Sequence, residues 1–194
     1  MRVVGGSARG RKLLAPPGQR VRPTADRVKE SIFSILASRL GTLAGCRVLD
    51  VFAGTGNLGI EALSRGAAAA VFIDSHRESA ALIRQNLATL GFTDQGRVLC
   101  QEALAALKFL TAAEHPFGLV FLDPPYRQGL LVQALELLAG SPLLTAQTMV
   151  VAEAAGNEVL PATVDRLTAI DRRVYGDTAV TFYSLADETD QEVT

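Results

Sequence analysis

Apolar positions along the chain alternate between two spacings. Val28, Ile32, Ile35, Leu36 and Leu40 recur at helical spacing and predict a helix from about Thr24 to Leu40. Thr24 serves as its N-cap and Asp26 falls in its first turn, both favourable at the positive end of the helix dipole. Arg47-Val48-Leu49-Asp50-Val51-Phe52 is a short apolar run rich in β-branched residues and predicts a buried strand, followed by a glycine-rich turn and a helix through about Arg65. The alternation continues with a strand over Ala68 to Ile73 and a helix from about Glu78 to Leu90, whose face is Ala81, Leu82, Gln85, Asn86 and Leu90. Strands follow at Arg97 to Cys100 and Gly118 to Leu122, then a helix from about Gln128 to Leu138 and a strand over Thr148 to Glu153. Two last strands, Val164 to Val174 and Thr178 to Leu185, are joined by the turn Tyr175-Gly176-Asp177. Strands alternating with helices and closing in a hairpin predict an α/β domain on a mostly parallel sheet.

Ahead of the first helix, Val3-Val4 and Leu13-Leu14 are separated by Gly5, Gly6 and Gly10 and followed by Pro16-Pro17, which predicts an irregular β-hairpin. The organisation expected is therefore a hairpin arm over 1–22, one main domain over 23–186, and a frayed, acidic tail over 187–194.

At 194 residues, with 48% hydrophobic and 20% charged side chains, the chain is long enough and apolar enough for a folded core. No apolar run is long enough to span a bilayer and the first residues carry no signal-peptide pattern, so a soluble, cytoplasmic protein is expected. Cys46 and Cys100 read as small core hydrophobes, and His76 and His115 lack ligand spacing, which argues against a metal site. Net charge is −1, but its distribution is uneven. Residues 1–30 hold eight basic against two acidic side chains, for +6, while residues 31–194 carry −7. A basic segment joined to an acidic body suits a polyanion, with Arg9, Arg11, Lys12, Arg22, Thr24 and Arg27 as candidate phosphate contacts; the other reading is a solvated basic loop.

Three carboxylates stand in or at the ends of predicted strands. Asp123-Pro124-Pro125-Tyr126 follows Gly118 to Leu122, and two consecutive prolines stop that strand, fix φ and remove two backbone donors. What remains is a carboxylate, backbone carbonyls and an aromatic face, which suits a planar group bearing an NH2, such as a nucleobase amine over a stacking ring. A proline-rich turn in which Asp123 accepts turn hydrogen bonds is the plainer reading. The second acid, Asp50, lies in the first strand before Ala53-Gly54-Thr55-Gly56-Asn57-Leu58-Gly59, whose glycines permit close approach of a ligand at a helix N-terminus. The third, Asp74, lies 18 residues beyond Gly56, at a spacing that places an acid on a ribose diol. Gly54-x-Gly56-x-x-Gly59 also satisfies the dinucleotide fingerprint, so a nicotinamide-binding protein stays open at this point.

Asp-Pro-Pro-Tyr resembles the catalytic motif of amino-methyltransferases that use S-adenosylmethionine, and Asp50-x-Phe52-Ala53-Gly54-x-Gly56 resembles their first motif. With Arg9-Gly10-Arg11-Lys12-Leu13, Arg22-Pro23-Thr24-x-Asp26-Arg27-Val28-x-Glu30, Glu61-Ala62-Leu63-Ser64-Arg65-Gly66-Ala67 and Tyr175-Gly176-Asp177-Thr178-Ala179, nearly the whole chain resembles the RsmD family of bacterial 16S rRNA guanine-N2 methyltransferases. The resemblance implies a Rossmann-like seven-stranded sheet of order 3-2-1-4-5-7-6 with the last strand antiparallel. It implies S-adenosylmethionine held by Asp50, Phe52, Ala53, Gly54, Gly56, Asp74, Glu102 and Ala103, and catalysis by Asp123, Pro124, Pro125 and Tyr126. The substrate implied is 16S rRNA within the small ribosomal subunit or an assembly intermediate, with no metal and no membrane. Thr55, Asn57 and Glu102 depart from the usual family residues. Adenine-N6 methylation of DNA would draw on the same motif.

Overall fold

The computed structural model describes residues 1–16, 23–110, 115–126 and 128–185, apart from the side chains of residues 23–25. Arg22 and the segment 187–194 therefore lie outside the described residues. The chain divides into two compact units, Met1–Ala103 and Leu104–Thr194.

In the first unit, α1 (Pro23–Leu40) precedes β1 (Arg47–Val51), α2 (Asn57–Ser64), β2 (Ala69–Asp74), α3 (Arg77–Leu90) and β3 (Gly96–Cys100). The strands are parallel, in the order β3-β2-β1, with Val51 opposite Ile73 and Ile73 opposite Leu99. Helix α1 opens at Pro23, so Thr24 sits inside the first turn instead of capping it. Proline is well placed there, because the first helical N–H has no acceptor to lose and φ is already helical.

The buried face of α3 is Ala80, Ile83, Asn86, Leu87 and Leu90; Asn86 and Leu90 agree with the expected face, whereas Ala81 and Gln85 are exposed and Leu82 is half-buried. Asn86 belongs to it because its amide is satisfied internally: Oδ1 accepts from Leu14 N at 2.7 Å, and Nδ2 donates to the carbonyls of Leu14 and Thr55 at 3.1 Å each. Cys100 is exposed and Cys46 half-buried, contrary to the expectation of core cysteines. For Cys100 the cause is that β3 ends its row of strands and buries no residue fully; Cys46 lies in the loop just before β1.

Residues 1–16 hold an antiparallel bridge, Arg2 with Lys12, around a turn closed by Gly10 N donating to Val3 O at 2.8 Å. Val3, Val4, Ala8 and Leu13 are buried, and the turn is tied to α2 through Ser7 N to Ser64 O at 2.7 Å and Ala8 N to Ser64 Oγ at 2.9 Å.

The boundary falls after the first residue of α4 (Ala103–Leu110), a helix the apolar pattern did not predict, and the second unit takes it up from Leu104. Ala103, Ala106, Leu107 and Leu110 are buried at helical spacing, but Leu104, Ala105 and Phe109 lie between them and hide the period. Then come β4 (Leu119–Leu122), α5 (Leu130–Ala139), β5 (Met149–Ala155), β6 (Thr163–Val164), β7 (Leu167–Tyr175) and β8 (Thr178–Leu185). Their order is β4-β5-β8-β7-β6, with β4 parallel to β5 and the pairings β5–β8, β8–β7 and β7–β6 antiparallel.

Among the described residues the strands number eight, not seven. The long strand expected from Val164 is interrupted at Asp165, whose φ of 49° turns the chain, so that β6 folds back on β7. Aspartate tolerates this left-handed conformation better than a branched residue would. Among the described residues, no helix is long and apolar enough to cross a membrane, and no group of three or more His, Cys, Asp or Glu side chains could hold a metal ion.

Candidate functional site

Each unit carries its own set of candidate residues. In the first, parallel pairing brings the carboxyl ends of β1 and β2 side by side, and Ala53 N donates to Ile73 O at 2.9 Å to hold the loop after β1 against β2. Asp50 is 2% exposed, and its Oδ2 accepts from Gly59 N at 2.8 Å. Burial, reinforced by the nearby charge of Asp74, pushes its carboxyl up to about 7 despite that hydrogen bond. Gly59 is required by contact: a Cβ there would stand 2.4 Å from Phe72 Cε1 and 3.0 Å from Asp50 Oδ2. The third glycine of the motif thus lets α2 lie close on the strands, as in nucleotide-binding folds generally.

Phe52 adopts φ 63°, an unusual backbone for a bulky residue, and Gly54 follows at φ 56°. A Cβ on Gly54 would point into open space, with nothing within 4 Å. The two glycine amides are not offered outward as the sequence pattern suggested. Gly54 N donates to Asp74 Oδ2 at 2.8 Å and Gly56 N to Ala53 O at 2.7 Å, so they shape the loop. Asp74 also receives His76 N on Oδ1 at 2.8 Å. Oδ1 also lies 3.2 Å from His76 Nδ1, so the acceptor capacity left for a ribose hydroxyl is mainly on Oδ2. Glu102 is exposed immediately before α4, and Ala103 is buried at that helix's first position.

An ionic cluster that sequence reasoning missed braces this loop. Lys29, counted in the basic segment, is 2% exposed, and its ammonium donates to Asn57 Oδ1 at 2.7 Å and Arg2 O at 2.6 Å. Its counter-ion is Glu61, 0% exposed, at 3.4 Å; Glu61 also accepts from Arg65 Nε and Val4 N at 2.8 Å each. Burial lowers the Lys29 pKa, opposed by Glu61. A glutamate one turn into an otherwise apolar helix was the available signal. Of the candidate phosphate contacts, Arg9, Lys12 and Arg27 are exposed. Arg11 is exposed too, but its guanidinium donates to Thr89 O in the last turn of α3.

In the second unit, Asp123 follows β4 and is exposed, Pro124 is buried, and Pro125 and Tyr126 are exposed. Leu122 lies opposite Ala152 in parallel register, so Asp123, just past β4, stands at the level of Glu153 in the last part of β5; Thr178, at the start of β8, lies opposite Ala155. There the Tyr126 hydroxyl donates to Glu153 Oε1 at 2.9 Å and lies 3.3 Å from Thr178 Oγ1. Burial and the carboxylates of Glu153 and Asp123 raise the Tyr126 pKa, against Thr178, so the phenol is neutral at physiological pH. Beside the ring opens a groove of about 640 Å³ lined by Tyr126, Ala155, Gly156, Asn157, Gly176 and Asp177. Glu153 and Thr178 were not singled out in the sequence, although a carboxylate closing an apolar strand on the same side as Asp123 was a usable signal.

Residues 1–184 match the family model described as conserved hypothetical protein 95. The chain belongs to this family, the RsmD family. A relative from Escherichia coli (strain K12), named ribosomal RNA small subunit methyltransferase D, is 37% identical over 183 residues, covering 94% of this chain and 89% of the relative. The solved structure of Escherichia coli yhhF matches with a TM-score of 0.81 at 36% identity, over 95% of this chain and 97% of that one. The fold extends beyond the family: SMU.776, crystallised in complex with SAH, matches with a TM-score of 0.64 at 16% identity, over 85% of this chain and 50% of that one. The architecture is thus the Rossmann-like methyltransferase sheet, with one strand more than expected.

Proposed function

We propose that the chain transfers a methyl group from S-adenosylmethionine to the exocyclic N2 of a guanine in 16S rRNA, within the small ribosomal subunit or its precursor. The observation that carries this reading is the Asp123-Pro124-Pro125-Tyr126 sequence at the end of β4, with the tyrosine hydroxyl tied down and its ring exposed beside an open groove. Family membership and the rRNA named for its Escherichia coli relative support the substrate class.

The first unit's residues fit the methyl donor on chemical grounds. Asp50 is a buried carboxylate suited to an ammonium, Asp74 a strand-end carboxylate suited to a ribose diol, and the space over Gly54 is one that a side chain would fill. Phe52, Ala53 and Gly56 shape that loop, and Glu102 and Ala103 are the candidates for the adenine. When bound, the donor supplies a methyl group already activated by its sulfonium charge.

On the substrate side, Asp123 and the Pro124 carbonyl accept the N–H groups of the guanine amine, which turns its nitrogen lone pair out of the ring plane. Asp123 is the acceptor for the proton the amine gives up. Tyr126 stacks the extruded base. Its raised pKa makes the phenol an anchor and not a base. Alignment of this kind supplies much of the rate when the nucleophile is weak. Arg9, Lys12 and Arg27, together with Arg11, hold RNA phosphates.

The deciding experiment follows labelled methyl from S-adenosylmethionine into unmethylated small subunits, naked 16S rRNA and duplex DNA, with Asp123→Ala as control and nucleoside analysis of the product. N2-methylguanosine from the wild type alone is expected. Label confined to adenine in DNA, or absent despite cofactor binding, would overturn the reading.

A further inference from the structure

Tyr126 belongs to neither a helix nor a strand, and the residue is 40% exposed. A ring on such a segment has several staggered rotamers open to it, so a fixed orientation beside the groove needs an anchor. Its hydroxyl is bonded to Glu153, a residue whose position is costly. Val150, Val151, Ala152, Ala154 and Ala155 around it in β5 are all buried, so the carboxylate interrupts an apolar strand. Burial raises the Glu153 pKa and the Tyr126 hydrogen bond lowers it, so the bond offsets part of what placing the acid there costs. Thr178 approaches the same hydroxyl from β8, and Gly156 N donates to Asp177 O at 2.7 Å, which joins the end of β5 to the β7–β8 turn. The groove lined by Tyr126, Gly156 and Asp177, about 640 Å³, falls in the range of small-molecule sites, a size sufficient for a nucleobase with its sugar.

We infer that Glu153, seconded by Thr178, is a positioning residue for the reaction: it holds the Tyr126 hydroxyl so that the ring stands as a fixed wall of this groove for the extruded guanine. The role rests on the reading that Tyr126 stacks the target base. Because RNA affinity comes largely from phosphate contacts while transfer depends on base alignment, loss of the anchor falls on kcat and spares KM.

The test combines kinetics with a direct view of the ring. Glu153→Ala is expected to lower kcat for rRNA by about tenfold to a hundredfold with KM for RNA changed about twofold at most. Glu153→Gln keeps a carbonyl oxygen to accept the bond and is expected to restore most of kcat. Tyr126→Phe loses the same bond, so its kcat falls as in Glu153→Ala, and the double variant is no worse than either single one. The chain has three tyrosines, so 13C-labelled tyrosine gives resolvable phenol carbons, with Tyr126 assigned by its absence in Tyr126→Phe. The Tyr126 signal is expected to move to the position of a solvated phenol in Glu153→Ala and to stay near its wild-type position in Glu153→Gln. An unmoved signal in Glu153→Ala, an unchanged kcat, or additive losses in the double variant would overturn the role. A wild type that binds S-adenosylmethionine yet methylates no rRNA overturns the underlying reading and this role with it, while the carbon shifts still report whether the anchor exists.

Discussion

Asp50 is a carboxyl group almost removed from water, and its chemistry at neutral pH follows from that. Its carboxyl titrates at about 7 in the folded chain, against about 3.9 for an unperturbed aspartate. Below about pH 4 both states are protonated and the residue contributes no difference. Between about pH 4 and 7 the folded state binds the extra proton, so stability falls as pH rises through that window, reaching on the order of 4 kcal/mol above it as an upper bound. Asp50→Asn should flatten this slope in urea melts followed from pH 4 to 8. Ligand binding has the opposite sign: an ammonium needs the ionised carboxylate, so affinity for S-adenosylhomocysteine should rise with pH up to about 7, with proton release on binding. Calorimetry in buffers of different ionisation enthalpy measures that release, and none would remove Asp50 as the ammonium partner.

At the scale of elements, two contacts decide how α2 sits. One is the missing side chain of Gly59. Gly59→Ala should cost about 1–3 kcal/mol of unfolding free energy, because Phe72 in β2 has to move aside and cannot do so without disturbing the packed strand. The other is Glu61, which satisfies Lys29, Arg65 and Val4 N together and so ties α1, α2 and the first turn of the chain to one another. Glu61→Leu should cost about 3–5 kcal/mol, since it strands the buried Lys29 ammonium. Adding Lys29→Met should recover part of that loss, and chemical denaturation of the three variants measures both. Because Lys29 also holds Asn57 at the start of α2, the same variants should weaken cofactor binding even where the fold survives.

For the molecule as a whole, charge distribution matters more than the net value of −1. Arg9 and Lys12 are exposed in the basic segment, whereas Lys29 is buried, Arg2 is paired with Asp26 and Arg11 is bonded to a carbonyl of α3. Replacing both Arg9 and Lys12 with alanine should reduce the salt slope of RNA binding by about 1 to 2 units and leave S-adenosylhomocysteine affinity unchanged. An unaltered slope would show that the polyanion is held elsewhere.

Much of this molecule is legible in local pattern. The alternation of strand and helix, the carboxylates of Asp50 within its strand and of Asp74 and Asp123 at strand ends, and the glycine and proline punctuation around them follow from side-chain period and backbone restriction, which act over a few residues. Other features depend on what the chain meets after folding. On α3, Asn86 and Leu90 face inward as expected, with Asn86 satisfied by Leu14 and Thr55, 72 and 31 residues away in sequence. Ala80, Ile83 and Leu87, however, are buried where Ala81, Leu82 and Gln85 were expected, because a weak local period does not say which apolar residues meet the sheet. Helix α4 was hidden because apolar residues cover its outer side as well, and no local rule says which of them faces inward. The break at Asp165 becomes a separate strand only because β6 finds β7 to pair with. Lys29 reads as one more solvated cation until Glu61 closes on it. Tyr126 reads as a free aromatic until the parallel pairing of β4 with β5 and the antiparallel return of β8 bring Glu153 and Thr178 to its hydroxyl. Sequence determined where the reactive groups stand on their elements. Tertiary structure decided which of them are paired, because a buried charge or a held ring depends on partners that chain proximity does not supply.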